Sequence, residues 1–131
     1  MPGPGTGRVA SVTPMSEAPR EEDLFLRIIA GEVPADVVHS DDVVVAFRDI
    51  APKAATHVLV VPRTRYPDVT ALAAASPQTL AHVVAVAQRI ADAECGGQFR
   101  LVFNTGAAVG QTVFHVHAHV LGGEGLSFTD L

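Results

Sequence analysis

The chain is poor in the residues that build covalent or metal-linked scaffolds, since its 131 residues include one cysteine, Cys95. Disulfide frameworks and thiolate zinc sites both need more cysteines, and we expect Cys95 to be an inert residue near a helix end. Basic residues are also few, because nine Lys and Arg residues are scattered along a chain of net charge −5. No basic stripe suits a nucleic-acid groove, so no nucleic-acid partner is expected.

Long apolar runs are lacking as well. The apolar stretches are interrupted by histidine or charge and are too short to span a bilayer, so we expect no membrane association. The N-terminus has no apolar signal core, and the cytoplasm is therefore the expected location. What the chain does have is 48% hydrophobic residues in a length that suits one compact domain.

The first twenty residues differ from the rest in composition. Proline and glycine recur there and apolar periodicity is missing, so residues 1–20 are predicted to be a disordered leader or a tag. Met15 is a plausible second start. The folded domain is expected to occupy residues 21–131.

Short apolar patterns and turn residues predict the elements of this domain. Strands joined by tight turns around one long helix favour an antiparallel α+β fold. Ser76 is the expected N-cap of the long helix. The predicted elements are a short helix at 23–30, antiparallel strands at 43–49 and 57–62, a long helix at 79–93, a strand at 100–104 and a last strand at 111–121.

The last predicted strand carries the most informative pattern, because His115, His117 and His119 alternate within an apolar run. A period of two is typical of a strand and places the three rings on one face, roughly 6.5–7 Å apart. The opposite face is predicted to hold the apolar residues of the run: Phe114, Val116, Ala118 and Val120.

Three interpretations of this row remain open from the residues alone. His115 and His119 would be ~13 Å apart on a strand, too far to bind one zinc ion together. A two-histidine metal site completed by His57 and a carboxylate is still conceivable. Alternatively, His117, which has a histidine on each side, suits nucleophilic attack on phosphorus. The third interpretation is a solvated strand face without function.

The neighbouring sequence favours phosphorus chemistry. Glycines such as Gly110 let the backbone approach an anion, and Asn104, Gln111 and Thr112 add side-chain donors. Asp49 could accept hydrogen bonds from the hydroxyls of a ribose. The alternative is that its carboxylate accepts hydrogen bonds only within a turn or cap.

Together these residues resemble the histidine triad family, whose signature of three histidines alternating with apolar residues is complete at 115–121. The motifs at 46–50, 56–62, 104–106 and 110–113 follow in the family's order, and 120–123 looks like the Hint branch. The resemblance implies an antiparallel sheet of about five strands with one long and one short helix, and a homodimer whose sheets join. It also implies a purine nucleoside phosphoramidase that cleaves an AMP-type or GMP-type α-phosphate linkage through a nucleotidyl-histidine, without metal or cofactor. A nucleotide-binding regulatory module and a dinucleoside polyphosphate hydrolase are the alternatives.

The same resemblance implies roles for individual residues. His117 matches the nucleophile, His119 assists the leaving group, and His115 and His57 orient the cluster. Asp49 matches the ribose-binding acid. The base is expected against Leu24, Phe25, Phe47 and Ile50, and the phosphate at Asn104, Gly110, Gln111, Thr112 and Val113, with His117 and His119.

Two departures from the family pattern matter. No cysteine pair stands near 23–26, so a structural zinc is not expected. The tail at 124–131 lacks the tryptophan typical of many Hint proteins, which leaves the leaving-group preference open.

Overall fold

The computed structural model describes residues 24–127; the predicted leader at 1–20, residues 21–23 and residues 128–131 lie outside the described residues. Within the described part, no helix combines the length and the hydropathy needed to cross a bilayer. The elements are α1 (Leu24–Ile29), β1 (Val37–Ser40), β2 (Val44–Arg48), β3 (Thr56–Pro62), α2 (Val69–Ala75), α3 (Pro77–Glu94), β4 (Arg100–Val102) and β5 (Ala118–Gly122).

The five strands form one antiparallel sheet in the order β1-β2-β3-β5-β4. The predicted α+β class and the predicted antiparallel pairing of β2 with β3 are therefore confirmed. β3 lies at the centre of the sheet, and all seven of its residues are buried. The sheet is thus covered on both faces, and the two faces pack against different helices.

Alternate residues of a strand point to opposite faces. On one face, Val60 of β3 packs with Val86 of α3 in a cluster of small aliphatic side chains. On the other face, Leu59 belongs to a second cluster with Phe25 of α1. The face that carries α1 is the one on which the histidines gather.

α3 is the predicted long helix, although it begins two residues before and ends one residue after the predicted bounds of 79–93. Ser76 is its N-cap and accepts the backbone N–H of Thr79, and Pro77 occupies the first turn. Cys95 is the C-cap residue. At the same end, Arg48 of β2 donates to both carboxylate oxygens of Glu94, at 3.0 and 2.7 Å, and so ties α3 to the sheet.

Several expectations about the elements are wrong. The strand predicted at 100–104 ends at Val102. β1 and α2 were not predicted, so the chain has a second short helix. The strand expected at 111–121 begins only at Ala118, because the backbone before it bonds to the segment after β3: Val116 N–H donates to the Tyr66 carbonyl at 2.7 Å. Phe114, expected to pack, is 40% exposed, while Val116, Ala118 and Val120 are buried as predicted.

Candidate active site

A cavity of about 730 Å³ opens on the α1 face of the sheet, a size that suits a nucleotide. α1 and β2 supply its apolar wall, and the loop before β5 supplies its polar end. The predicted site residues that line it are Leu24, Phe25, Phe47, Asp49, Ile50, Asn104, Gly110, Thr112, Val113, His117 and His119.

Three predicted site residues do not line this cavity: His57, His115 and Gln111. All three are buried, with at most 6% of their surface exposed. Conversely, seven lining residues were not predicted as site residues: Val33, Pro34, Ala35, Asp36, Arg48, Ile28 and Leu59. Two of them, Ile28 and Leu59, continue the pattern of residues that were predicted. Helical spacing from Leu24 to Ile28, and strand alternation from His57 to Leu59, were the signals that could have identified them.

The ring of His117 is fixed by two contacts. Its Nδ1 lies 2.9 Å from the carbonyl oxygen of His115, and a carbonyl can only accept, so Nδ1 carries the proton. The ring also packs edge-on against Phe25, with centroids 4.9 Å apart. His117 therefore keeps a lone pair on Nε2, which is the form of histidine that acts as a nucleophile.

A chain of hydrogen bonds fixes the tautomers of His57 and His119. The backbone N–H of Lys53 donates to Nδ1 of His57 at 3.1 Å, so the proton of neutral His57 is on Nε2. That Nε2 lies 3.0 Å from Nδ1 of His119, which accepts. Neutral His119 consequently carries its proton on Nε2. His117 and His119 thus offer opposite groups, a lone pair and an N–H.

His115 belongs to the packing of the site. Its side chain is completely buried, and Nε2 donates to the Pro62 carbonyl at 2.7 Å. Nδ1 has no hydrogen-bond partner. The contribution of His115 to the site comes through its main-chain carbonyl, which holds the ring of His117.

Burial keeps the four imidazoles of the site neutral. Desolvation is the main cause that lowers the pKa values of His57, His115 and His117 from the ordinary 6.5. The pKa of His119 falls to about 4, because burial is reinforced by the neighbouring His117 and His57. The carboxylate of Asp49 opposes the change at three of these rings but does not outweigh burial.

Asp49 is a turn acceptor, as one of its two predicted roles requires, and it also lines the cavity. Its Oδ1 accepts the backbone N–H of Ala51 at 2.8 Å, as a turn residue would. Its Oδ2 lies 3.4 Å from Nε2 of His57, and the residue lines the cavity. One carboxylate oxygen is therefore held by the turn while the other faces the histidine cluster.

Among the described residues, Asp49, His57 and His119 form the one group whose geometry could hold a metal ion, with ligand atoms within 4.8 Å of one another. The tautomers oppose this use. Because Lys53 N–H occupies Nδ1 of His57, the proton on Nε2 stands where a metal would need a lone pair. The donor set suits proton transfer better than metal binding.

The loop between β4 and the triad is closed by glycines. Gly106 has a φ of +100° and Gly110 a φ of +101°, which other residues rarely adopt. Between them, Ala107–Val109 form one turn of 3₁₀ helix. Asn104, Gly110 and Thr112 line the same cavity as His117 and His119.

Residues 30–126 match the HIT domain. The chain belongs to the HIT (histidine triad) family. The purine nucleoside phosphoramidase of Escherichia coli K12 is 44% identical over 108 residues, which cover 81% of this chain and 91% of that enzyme. A HIT-like protein of Synechocystis is also 44% identical, over 109 residues and 82% and 96% of the two chains.

Solved HIT structures share the fold. A HIT family hydrolase of Legionella pneumophila superposes with a TM-score of 0.75 at 38% identity, covering 80% of this chain and 96% of that one. The Clostridium thermocellum HIT family hydrolase gives a TM-score of 0.74 at 35% identity, over 79% and 92%. These matches confirm the predicted family and fold, and the phosphoramidase relative fits the Hint branch that 120–123 indicates.

Proposed function

We propose that this HIT protein is a hydrolase that cleaves purine nucleoside phosphoramidates at the α-phosphate, with a nucleotidyl group carried on Nε2 of His117. The observation that carries the proposal is the fixed ring of His117, whose Nδ1–H is held by the His115 carbonyl while the ring lines the cavity. A neutral imidazole with a committed tautomer needs no further activation to attack phosphorus. The similarity to the E. coli phosphoramidase supports the same chemistry.

The reaction divides into two displacements. In the first, the Nε2 lone pair of His117 forms a bond to phosphorus, the P–N bond of the substrate breaks, and the amine leaves with one proton. In the second, water attacks phosphorus, the P–Nε2 bond breaks, and one proton is returned. His119 is the group in place to pass this proton in both directions. Burial disfavours the cationic form of His119 in the free protein. The anionic phosphate would raise the pKa of this ring on binding, so that His119 takes up the proton from solvent.

The nucleotide is proposed to lie across the cavity from α1 to the triad. Leu24, Phe25, Phe47 and Ile50 would enclose the purine, and Asp49 would accept from the ribose hydroxyls. Asn104, Thr112 and the backbone at Gly110 and Val113 would hold the phosphate oxygens. Ile50 is fully exposed without ligand, and a bound base would cover it.

The test is His117→Ala assayed with an adenosine phosphoramidate and, separately, with AMP. We expect the variant to lose turnover and to keep AMP binding in calorimetry, and a rapid quench of wild-type protein with labelled substrate to trap the label on His117. Undiminished turnover in His117→Ala would refute the proposal. AMP binding by wild-type protein without turnover of amidates, esters or anhydrides would support a regulatory module instead.

We also propose that the protein forms a homodimer through the edge strand β4 and the neighbouring α3. β4 is an edge of the sheet, with half-buried residues, and α3 exposes Val84 to 43%. Light scattering coupled to size exclusion tests this assembly, and a monomer at micromolar concentration contradicts it. The cytoplasmic location stays a prediction.

A further inference from the structure

Gln111 is buried beside the phosphate end of the cavity without lining it, with 3% of its surface exposed. Its side-chain amide is committed to three backbone groups. Oε1 accepts the N–H of Gly106 at 2.8 Å. Nε2 donates to the carbonyls of Pro67, at 2.6 Å, and Val113, at 3.2 Å. A glutamine amide has two N–H donors, and here both are taken.

The main chain of Gln111 completes a double link to one glycine. Its backbone N–H donates to the carbonyl of Gly106 at 3.1 Å, while its side chain accepts the N–H of that same residue. The loop 106–110 is therefore closed at its base by a pair of hydrogen bonds. Another partner, Pro67, lies in the 65–67 segment, which also contacts the residues before β5. Arg65 donates to the Phe114 carbonyl, and the Tyr66 carbonyl accepts from the Val116 N–H.

We propose that Gln111 is a positioning residue and not a phosphate ligand. Its role is to close the loop 106–110 and to join that loop to the 65–67 segment. This inference rests on the proposed function and revises the role that the family resemblance assigns to this side chain. A phosphate oxygen needs an N–H or O–H donor. Gln111 has neither to spare, and the remaining lone pair of Oε1 would repel an anion.

The loop geometry gives the positioning role its consequence. Asn104 lies just before Gly106, and Gly110 and Thr112 flank Gln111. The pair of Gln111–Gly106 hydrogen bonds therefore sets the distance between Asn104 on one side and Gly110 and Thr112 on the other. Without it, Gly106 and Gly110 retain wide backbone freedom. The loop would have to be ordered by the phosphate itself, at a cost in affinity.

The test compares Gln111→Leu with Gln88→Leu, a matched glutamine on α3 that donates to Asp92 and the Gly97 carbonyl. In Gln111→Leu we expect the Gly106 amide to lose protection from hydrogen exchange in the ligand-free protein. AMP affinity should fall about tenfold, as for lost hydrogen bonds of ordinary strength, while adenosine affinity stays constant. Gln88→Leu should change neither the Gly106 amide nor the ratio of AMP to adenosine affinity.

A measurement on the unchanged protein covers the case in which Gln111→Leu does not fold. The side-chain NH₂ resonances of Gln111 should exchange slowly and keep their chemical shifts when AMP is added. Large shifts on addition of AMP would overturn the proposal, as would weaker AMP binding by Gln111→Leu with an undisturbed Gly106 amide. If wild-type protein bound no AMP, the proposed function would fail. Hydrogen exchange of the Gly106 amide in Gln111→Leu would still show whether Gln111 closes the loop.

Discussion

The three histidines of the triad have unequal surroundings, and only two of their rings face the cavity. His117 offers Nε2 as a lone pair, and neutral His119 offers Nε2–H. The His115 ring is packed away between Phe25 and the Pro62 carbonyl. In the proposed mechanism, a motif of three identical residues therefore encodes one nucleophile, one proton carrier and one packing residue whose carbonyl matters more than its imidazole.

His115→Leu tests this division. The substitution leaves the main-chain carbonyl that holds His117 but removes the donor to the buried Pro62 carbonyl, which should lower the free energy of unfolding by about 1–3 kcal/mol. We expect kcat to fall less than about tenfold, because no transition-state contact is lost. Denaturant titration and steady-state kinetics check both values, with His117→Leu as the inactive control. A loss of kcat as complete as in that control would show that the His115 ring takes part in the chemistry.

The acid limb of the pH profile reports on His117. Because burial lowers its pKa below 6.5, kcat/KM should not decline as the pH falls through 6.5, and should decline only at lower pH. Asp49 raises the pKa of His117, so Asp49→Asn should move the limb to still lower pH while weakening ribose binding. Profiles of kcat/KM for both proteins measure the shift. A limb that begins above pH 6.5 in the wild type would contradict the desolvated site.

At the level of elements, the sequence predicted those with a long or strict pattern. α3 has eighteen residues and an N-cap, and β2 and β3 are runs of β-branched residues. α2 was not predicted because Leu72 is the one buried residue among its seven, and a single buried residue gives no hydrophobic periodicity that indicates a helix. β1 escaped because its burial does not alternate.

The triad segment shows why pattern and backbone differ. The rings of His117 and His119 line the same cavity, as alternation at 115–119 predicted, whereas the ring of His115 does not line it. Alternation records side-chain direction only. It could not show that Val116 bonds to Tyr66 in place of a neighbouring strand, because that partner is distant in sequence. Most of the cavity lining could be expected from motifs. The Lys53–His57 and Gln111–Gly106 contacts could not, because they depend on the local geometry of turns, which the residue pattern does not record.

A second histidine cluster joins β1, the β1–β2 turn and α3. Asp41 accepts from Nε2 of His39 and Nε2 of His82, each at 2.7 Å, and from the backbone N–H groups of Val43 and Val44. Burial favours the neutral acid, but these four hydrogen bonds outweigh it and hold the pKa of Asp41 far below its usual range. The cluster lies outside the cavity lining and is structural.

Asp41→Ala should therefore destabilise the fold without impairing the site. Removing the common acceptor frees both histidines and uncaps the turn, and we expect a loss of about 1–3 kcal/mol in the free energy of unfolding. AMP affinity should be unchanged at a temperature where the variant is folded. The adjacent exposed Asp42→Ala is the control and should be neutral. Equal unfolding curves for Asp41→Ala and Asp42→Ala would disprove the role of the cluster.

For the whole molecule, the neutral site histidines make stability depend on pH. A histidine whose pKa is lower in the folded than in the unfolded chain binds fewer protons when folded, so acid favours unfolding. The loss begins near the ordinary value of 6.5 and continues, for His119, to about 4. Denaturant titrations at pH values across this window should show a falling free energy of unfolding.

His119→Gln is the matched variant, because it keeps a polar side chain of similar length that does not titrate. Its stability should fall less steeply between pH 6.5 and 4 than that of the wild type. Identical slopes for the two proteins would mean that His119 is not desolvated in solution.

The ring of Phe25 contacts both the apolar wall of the cavity, at Phe47, and the histidine cluster, at His117. It lies 4.9 Å from the ring of His117 and 5.6 Å from that of Phe47, centroid to centroid. A purine that packs against Phe25 therefore presses on the same ring that steadies the nucleophile. If the proposed function holds, base binding and bond cleavage are coupled through this ring, and we expect that exchanging one nucleobase for another changes the rate of the covalent step as well as the affinity.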